Sequence, residues 1–126
     1  MKDETKLLRQ VHPSFIQDGR VSSQAFRPTP KDEKQLSVYD GDLIEVQPAY
    51  EHYTKTLDLP SVGVLAVTVE ECAQLELVTR SAPLVDFEEH AVIDFSSCGK
   101  GPAEKKAKIL RKKAEERDWL FQDTGS

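Results

Sequence analysis

The heptapeptide at residues 61–67, SVGVLAV, constrains the fold of this chain more than any other feature. It is rich in β-branched residues and apolar on both faces, which predicts a buried strand near the centre of a sheet. Residues 68–71, TVEE, follow directly with the spacing of a capping box, in which Thr68 and Glu71 satisfy orphan backbone N–H groups. The sequence therefore predicts a central strand that leads into a short helix ending near Leu75.

Other regular elements follow from apolar periodicity and from turn residues. Strands are predicted at residues 35–39 and 77–79, and at residues 90–95, HAVIDF, which give a second well-defined buried strand. A helix is predicted at residues 46–57, where Pro48 falls in the first turn and its missing N–H costs nothing. The last helix is predicted from Pro102, with a narrow alanine and leucine stripe that suits packing on a sheet.

The first third of the chain is predicted to be irregular. Residues 1–10 are interpreted as a short helical or frayed lead-in, because Leu7 and Leu8 are their only apolar anchors. Residues 9–39 carry three prolines, each of which removes a backbone donor and restricts the residue before it. Within them, residues 27–34 are a loop by composition. Long irregular segments that are held by apolar anchors are often where function lies.

These elements together predict an α+β fold in a single domain that covers residues 1–126. The sheet is expected to be mixed or mostly antiparallel, with two or three helices on one face and the long irregular N-terminal segment draped over it. Residues 1–6 and 122–126 are expected to be frayed. Residues 119–121, WLF, are expected to form a terminal anchor or a short edge strand.

The composition is typical of a soluble and rather polar globular protein. The chain has 126 residues, of which 38% are hydrophobic and 31% are charged, so it suits one domain with a real core. No apolar run approaches the roughly 20 residues of a membrane helix, and the charged N-terminus lacks the apolar stretch of a signal peptide. Its two cysteines, Cys72 and Cys98, are expected to be reduced thiols. A cytoplasmic location without membrane contact is therefore predicted.

Charge is distributed unevenly along the chain. Residues 40–99 hold two basic and twelve acidic residues, whereas residues 100–117 hold eight basic and three acidic residues. The protein therefore combines an acidic body with a basic C-terminal helix. This asymmetry indicates either a surface for nucleic acid or an acidic partner, or a helix that lies across its own acidic body.

The basic helix provides one set of candidate contacts. Its cations could neutralise phosphates of nucleic acid through residues 102–117. They are spread around the helix without interleaved aromatic residues, and the whole chain is acidic, which favours a solvated amphipathic helix or a protein partner. The candidates for contact with a partner or nucleic acid are Lys105, Lys106, Lys108, Arg111, Lys112 and Lys113.

Metal binding and nucleophilic catalysis have weak support. The three histidines and two cysteines show no CxxC or HxxxH spacing, so no metal site and no cofactor are predicted. Serine pairs at residues 22–23 and 96–97 are nucleophile types, and His12 or His90 could act as a base. The GxSxG elbow is absent from the sequence, and loop serines mostly cap turns. No residue is therefore assigned a catalytic role.

A polar cluster in the N-terminal third is the better candidate for a ligand site. Its arginines could grip a phosphate or carboxylate with bidentate hydrogen bonds. The order of an arginine, a serine pair and the later acids Glu88 and Glu89 distantly resembles that of ADP-ribosyltransferases, and this resemblance implies a nicotinamide nucleotide as ligand. The ligand-binding candidates are Arg9, His12, Ser22, Ser23, Arg27 and Ser37.

The run HPSF…SSQAFRPTPKD…LSVYDGD at residues 12–42 resembles a family of small, uncharacterised bacterial proteins. The resemblance implies a bacterial, cytoplasmic origin and supplies no activity. The function expected from all these features is a small accessory module that binds a protein partner without catalysis of its own, linked to a bacterial defence or toxin-type system. The alternative is a small enzyme, or a degenerate relative of one, that acts on a nucleotide or nucleic acid through the polar cluster of Arg9 and Arg27.

Overall fold

The protein is described from a computed structural model that covers residues 1–28 and 34–123. Over these residues the strands are β1 Lys6–Gln10, β2 Ile16–Gln17, β3 Arg20–Val21, β4 Gln35–Asp40, β5 Gly63–Thr68, β6 Val78–Ser81, β7 His90–Asp94 and β8 Phe121–Gln122. The helices are α1 Val46–Glu51, α2 Val69–Gln74 and α3 Lys100–Arg117, with 3-10 turns at Pro13–Phe15 and Ser23–Phe26 and a π-helical turn at His52–Thr56. The expected loop at residues 27–34 lies largely outside the described residues, as do the last three of the residues expected to fray.

Six strands form one sheet in the order β6-β7-β4-β1-β5-β8. Every neighbouring pair in it is antiparallel. Strands β2 and β3 form a separate two-stranded ribbon. The prediction of an α+β fold with a mostly antiparallel sheet is confirmed.

The N-terminal lead-in is the clearest correction to the sequence-based expectation. Residues 6–10 form β1, which pairs with both β4 and β5 inside the sheet. Leu7 and Leu8 are both buried, and Thr5 is buried beside them. Adjacent residues of a strand point to opposite faces, so each leucine serves a different side of the sheet. The prediction that these residues are helical or frayed is therefore wrong.

Both faces of the sheet are covered. On one face, α2, α3 and the 3-10 turn at Ser23–Phe26 enclose the larger core, which includes Leu7, Leu65 and Phe26. On the other face, α1 and the residues after it pack on a smaller cluster that includes Leu8 and Tyr39. Two or three helices were expected on one face; α2 and α3 lie on it, and α1 covers the other. This second face carries the candidate site.

The remaining elements follow the sequence closely. The capping box of Thr68 and Glu71 is confirmed, with both reciprocal hydrogen bonds present. Val21 and Phe26, two apolar residues of the N-terminal segment, are buried. The helix expected at residues 46–57 changes at His52 from α-helical to π-helical winding, which re-aims the side chains that follow.

Candidate functional site

The second face of the sheet carries an apolar cleft of about 360 Å³. Its floor is formed by β1 and β4 near Tyr39, one wall by Tyr53 and the leucines that follow the π-helical turn, and the other wall by the loop before β7. Three leucines on its rim remain open to solvent, with Leu57 38% exposed, Leu59 44% and Leu84 54%. Solvent-exposed leucines gathered around a cleft are a feature of interaction sites.

Two aromatic and two histidine rings pack together at this cleft. The Phe87 ring contacts the other three rings: its centroid is 4.8 Å from that of Tyr39, 4.7 Å from that of His52 and 5.1 Å from that of His90. The Tyr39 hydroxyl and His52 Nδ1 are 2.8 Å apart and share a hydrogen bond. Burial raises the pKa of Tyr39 well above its ordinary value, so this hydroxyl stays neutral.

A tight turn fixes the wall that carries Leu84 and Phe87. The Leu84 N–H donates to the Phe87 carbonyl at 2.9 Å, and the Phe87 N–H donates to the Leu84 carbonyl at 3.0 Å. Asp86 adopts the left-handed backbone conformation with φ of 59°, which closes the turn. Val85 at its tip is 92% exposed. The turn therefore holds two apolar side chains over the cleft.

A polar pair lies beside this apolar surface. Ser37 and His90 occupy adjacent strands, and His90 stands opposite Tyr39 in the register of β4 and β7. Residues two apart on a strand point to the same face, so His90 is the diagonal neighbour of Ser37. The Ser37 Oγ lies 3.1 Å from His90 Nε2, and His90 Nδ1 lies 2.7 Å from the Ala82 carbonyl oxygen.

Arg9 lies where β1 and β4 part. The register of these strands pairs Leu7 with Asp40 and Leu8 with Tyr39. Next along β1, the Arg9 guanidinium donates to the Ser37 carbonyl at 2.9 Å and to the Ala25 carbonyl at 2.7 Å. It also lies over the Phe15 ring, 5.9 Å from the centroid. Arg9 therefore tethers the 3-10 turn to the sheet, and it is also one of the residues that line the cleft.

The other predicted ligand residues lie along the N-terminal segment in separate local roles. His12 Nδ1 caps the turn at Pro13–Phe15 by accepting from the Ser14 N–H at 3.0 Å. Ser22 precedes the turn that Ser23 begins, and the Ser22 hydroxyl is enclosed without a hydrogen-bond partner among the described residues. Arg27 lies 3.9 Å from Glu104 of α3. Of the predicted cluster, the structure brings Arg9 and Ser37 together at the cleft.

The predicted contact residues of α3 divide into two groups. Two of them interact within the protein, as Lys106 Nζ donates to the Cys98 sulfur at 3.3 Å and Arg111 pairs with Glu115 at 3.3 Å. The remaining four are exposed at Lys105, Lys108, Lys112 and Lys113. Three of these, at i, i+3 and i+7, share one side of the helix.

Two other clefts are weaker candidates for a binding site. One of about 280 Å³ beside Trp119 is lined by the ion pair of Arg20 and Glu115, whose atoms lie 3.1 Å apart and so satisfy one another. Another of about 400 Å³ at the start of α3 is lined by Arg27, Lys34 and Glu104, and it adjoins residues outside the described part of the chain. The cleft on the second face is therefore the candidate site.

The described residues contain neither a metal-binding cluster nor a membrane-spanning helix. Among residues 1–28 and 34–123, no three histidine, cysteine or acidic side chains gather closely enough to hold a metal ion. In the same part of the chain, no helix combines the length and the apolar character needed to cross a membrane. Comparison of the chain with protein-family models, with curated proteins and with solved structures gave no match.

Sequence reasoning named some of the residues at this cleft and missed their arrangement. Ser37 was a ligand candidate and His90 a candidate base, but they were not predicted to meet. The alternation in QLSVYD places Ser37 and Tyr39 on one face of a strand, which is a usable signal. The pairing of β4 with β7 is a long-range feature that the sequence pattern alone does not specify.

Proposed function

We propose that this protein is a small binding module that holds an apolar segment of a partner protein in the cleft on the second face of the sheet. The observation that carries this proposal is the row of exposed leucines around a preformed aromatic floor. Clefts of this kind, mostly apolar with a few convergent polar groups, are typical of binding sites.

Apolar burial supplies the driving force for this interaction. Leu57, Leu59 and Leu84 each leave roughly two fifths or more of their surface in water. Covering them recovers about 25 cal/mol for each Å² of apolar surface removed from solvent. The floor beneath them is held by Phe87 and Tyr39, so little ordering is needed on binding, and pre-ordering favours affinity.

Charge indicates what should flank the apolar residues of the partner. Asp58 lies between two rim leucines, and Asp86 and Glu88 lie on either side of Phe87; all three are exposed. Lys55 is an exposed basic residue nearby. A partner segment with lysine or arginine next to its apolar residues would complement this acidic rim, and such complementarity raises association rates at low salt.

Two synthetic peptides test the proposal directly. Both have the same leucine and phenylalanine centre, but one is flanked by lysines and the other by glutamates. The lysine-flanked peptide should bind more tightly in fluorescence anisotropy, and its affinity should fall as salt screens the acidic rim. Leu57→Asp and Leu84→Asp should each weaken its binding at least tenfold, because they place a charge on the apolar rim.

A matched variant on the opposite side of the protein provides the control. Ile109 is a comparably exposed apolar residue of α3, at 42%, so Ile109→Asp should leave peptide binding unchanged. Equal binding of the two peptides would refute the charge argument. Binding that survives both leucine variants, or no binding of either peptide, would refute the cleft as the site.

The proposal extends to the bacterial system and the cellular compartment in which the module works. The resemblance of residues 12–42 to small bacterial proteins supports a role as an accessory component of a bacterial defence or toxin-type system. A cytoplasmic location is supported by two cysteines that are both free and buried. The alternative of an enzyme acting on nucleotides through Arg9 and Arg27 has less support, since Arg9 is engaged with two backbone carbonyls.

A further inference from the structure

We propose that Ser37 is a nucleophile with His90 as its general base, and that the cleft hydrolyses esters of apolar acyl groups. This goes beyond the proposed binding function and does not depend on it. It also departs from the sequence-based expectation of a module without catalysis.

The hydrogen bonds of His90 define which ring nitrogen carries the proton. The Ala82 carbonyl can only accept a hydrogen bond, so His90 Nδ1, 2.7 Å away, must be the protonated nitrogen. In the neutral ring, Nε2 is then an acceptor, and the Ser37 hydroxyl 3.1 Å away donates to it. A base aimed at a hydroxyl and oriented by a third group is the arrangement that activates a serine.

The surroundings keep this arrangement in place. His90 is 9% exposed, and its ring lies against Phe87 with a centroid distance of 5.1 Å, so rotation away from Ser37 is hindered. Ser37, in contrast, is exposed to solvent at the cleft. The nucleophile is thus accessible while its base is shielded, which limits competition from water for the Nε2 lone pair.

The cleft supplies a place for the acyl group. Tyr53, Leu57 and Phe87 form an apolar surface beside Ser37 that would hold the acyl chain. The Arg9 guanidinium donates to the Ser37 backbone carbonyl at 2.9 Å, which helps to fix the strand that carries the nucleophile.

The reaction balances without any added oxidant or cofactor. The Ser37 Oγ attacks the ester carbonyl carbon as its proton passes to His90 Nε2. The tetrahedral intermediate collapses, the bond to the alcohol oxygen breaks, and His90 returns the proton to the departing alcohol. Water, deprotonated by His90, then attacks the acyl-serine, so that one ester and one water give an acid and an alcohol.

Two measurements on the whole protein test the proposal. A fluorophosphonate probe should label the wild type, with peptide mapping by mass spectrometry placing the adduct on Ser37. Hydrolysis of p-nitrophenyl butyrate should fall to the uncatalysed rate in Ser37→Ala and at least a hundredfold in His90→Gln, the smaller end of the general-base range.

The control is Ser81→Ala, an exposed serine of β6 outside the cleft, which should hydrolyse the ester like the wild type. Unfolding curves of each variant separate a chemical effect from lost folding. The proposal is overturned if Ser37→Ala hydrolyses the ester as fast as the wild type, or if the probe labels a different residue or none. Because Ser37→Ala leaves the rim leucines intact, it should still bind the lysine-flanked peptide, so the two proposals fail independently.

Discussion

At the scale of single residues, Arg117 connects three elements through one side chain. Its guanidinium donates to both carboxylate oxygens of Glu71, at 3.1 Å each, and to the Ala66 carbonyl at 2.8 Å. Glu71 also accepts from the Thr68 N–H to complete the capping box. The arginine and glutamate side chains are only 24% and 17% exposed, so solvent screens the pair incompletely. One carboxylate therefore joins β5, α2 and α3.

The prediction at this scale concerns Glu71→Gln. Burial opposes the charge of Glu71, but hydrogen bonds from Arg117 and Thr68 outweigh it and lower its pKa. Its stabilising effect is therefore complete above the ordinary carboxyl range and is lost as the pH falls below that range. We expect Glu71→Gln to reduce the free energy of unfolding by about 1–3 kcal/mol at pH 7 and by less at pH 3.

Urea unfolding at both pH values measures this difference. Hydrogen bonds from Ser96 and Arg80 also lower the pKa of Asp94, to about 2, but this contribution is present in both proteins and cancels. The exposed neighbour Glu70 gives the control, since Glu70→Gln should change stability little. A Glu71→Gln deficit that is as large at pH 3 as at pH 7 would contradict the assigned role of the charge.

At the scale of elements, β8 forms one edge of the sheet by pairing closely with β5 at Gly63. A Cβ at Gly63 would lie 2.5 Å from the Phe121 carbonyl oxygen and 2.9 Å from the Trp119 ring. Such distances are too short for any side chain, so the glycine permits β8 to pair with β5. The short edge strand expected at residues 119–121 is found at Phe121–Gln122.

Gly63→Ala should therefore displace β8 and destabilise the protein by about 1–3 kcal/mol. Trp119 is the single tryptophan of the chain, so its fluorescence reports the displacement without added labels. Gly101→Ala is the matched control, because no atom outside its own stretch of helix lies within 4 Å of the added carbon and alanine favours a helix. Unchanged tryptophan emission in Gly63→Ala would show that β8 tolerates the extra carbon.

Sequence patterns predicted some elements well, for reasons specific to their residues. The capping box and β5 were predictable because their signals are local: a threonine and a glutamate at fixed spacing, and a β-branched run. β1 was missed because KLLRQ lacks β-branched residues and its two leucines face opposite sides of the sheet. The pairing of Ser37 with His90 depends on a register between distant strands, which no local pattern contains.

At the scale of the whole molecule, the charge asymmetry has a partly internal explanation. Arg117 of α3 pairs with Glu71 of α2, which supports the interpretation that the basic helix lies across the acidic body. Asp58, Asp86 and Glu88 are exposed and adjoin in sequence residues that line the cleft, while the exposed lysines belong to α3, which packs on the other face of the sheet. The molecule therefore presents two surfaces of opposite charge, and the apolar one is acidic.

The most direct test of the proposed binding site is an NMR titration of the ¹⁵N-labelled protein with the lysine-flanked peptide. Binding in the cleft should shift the backbone amide signals of Ser37, Leu57 and Phe87 and of their neighbours, and leave those of α3 in place. Shifts confined to the lysine row at Lys105, Lys108 and Lys112, or no shifts at peptide concentrations that saturate the anisotropy signal, would contradict the account.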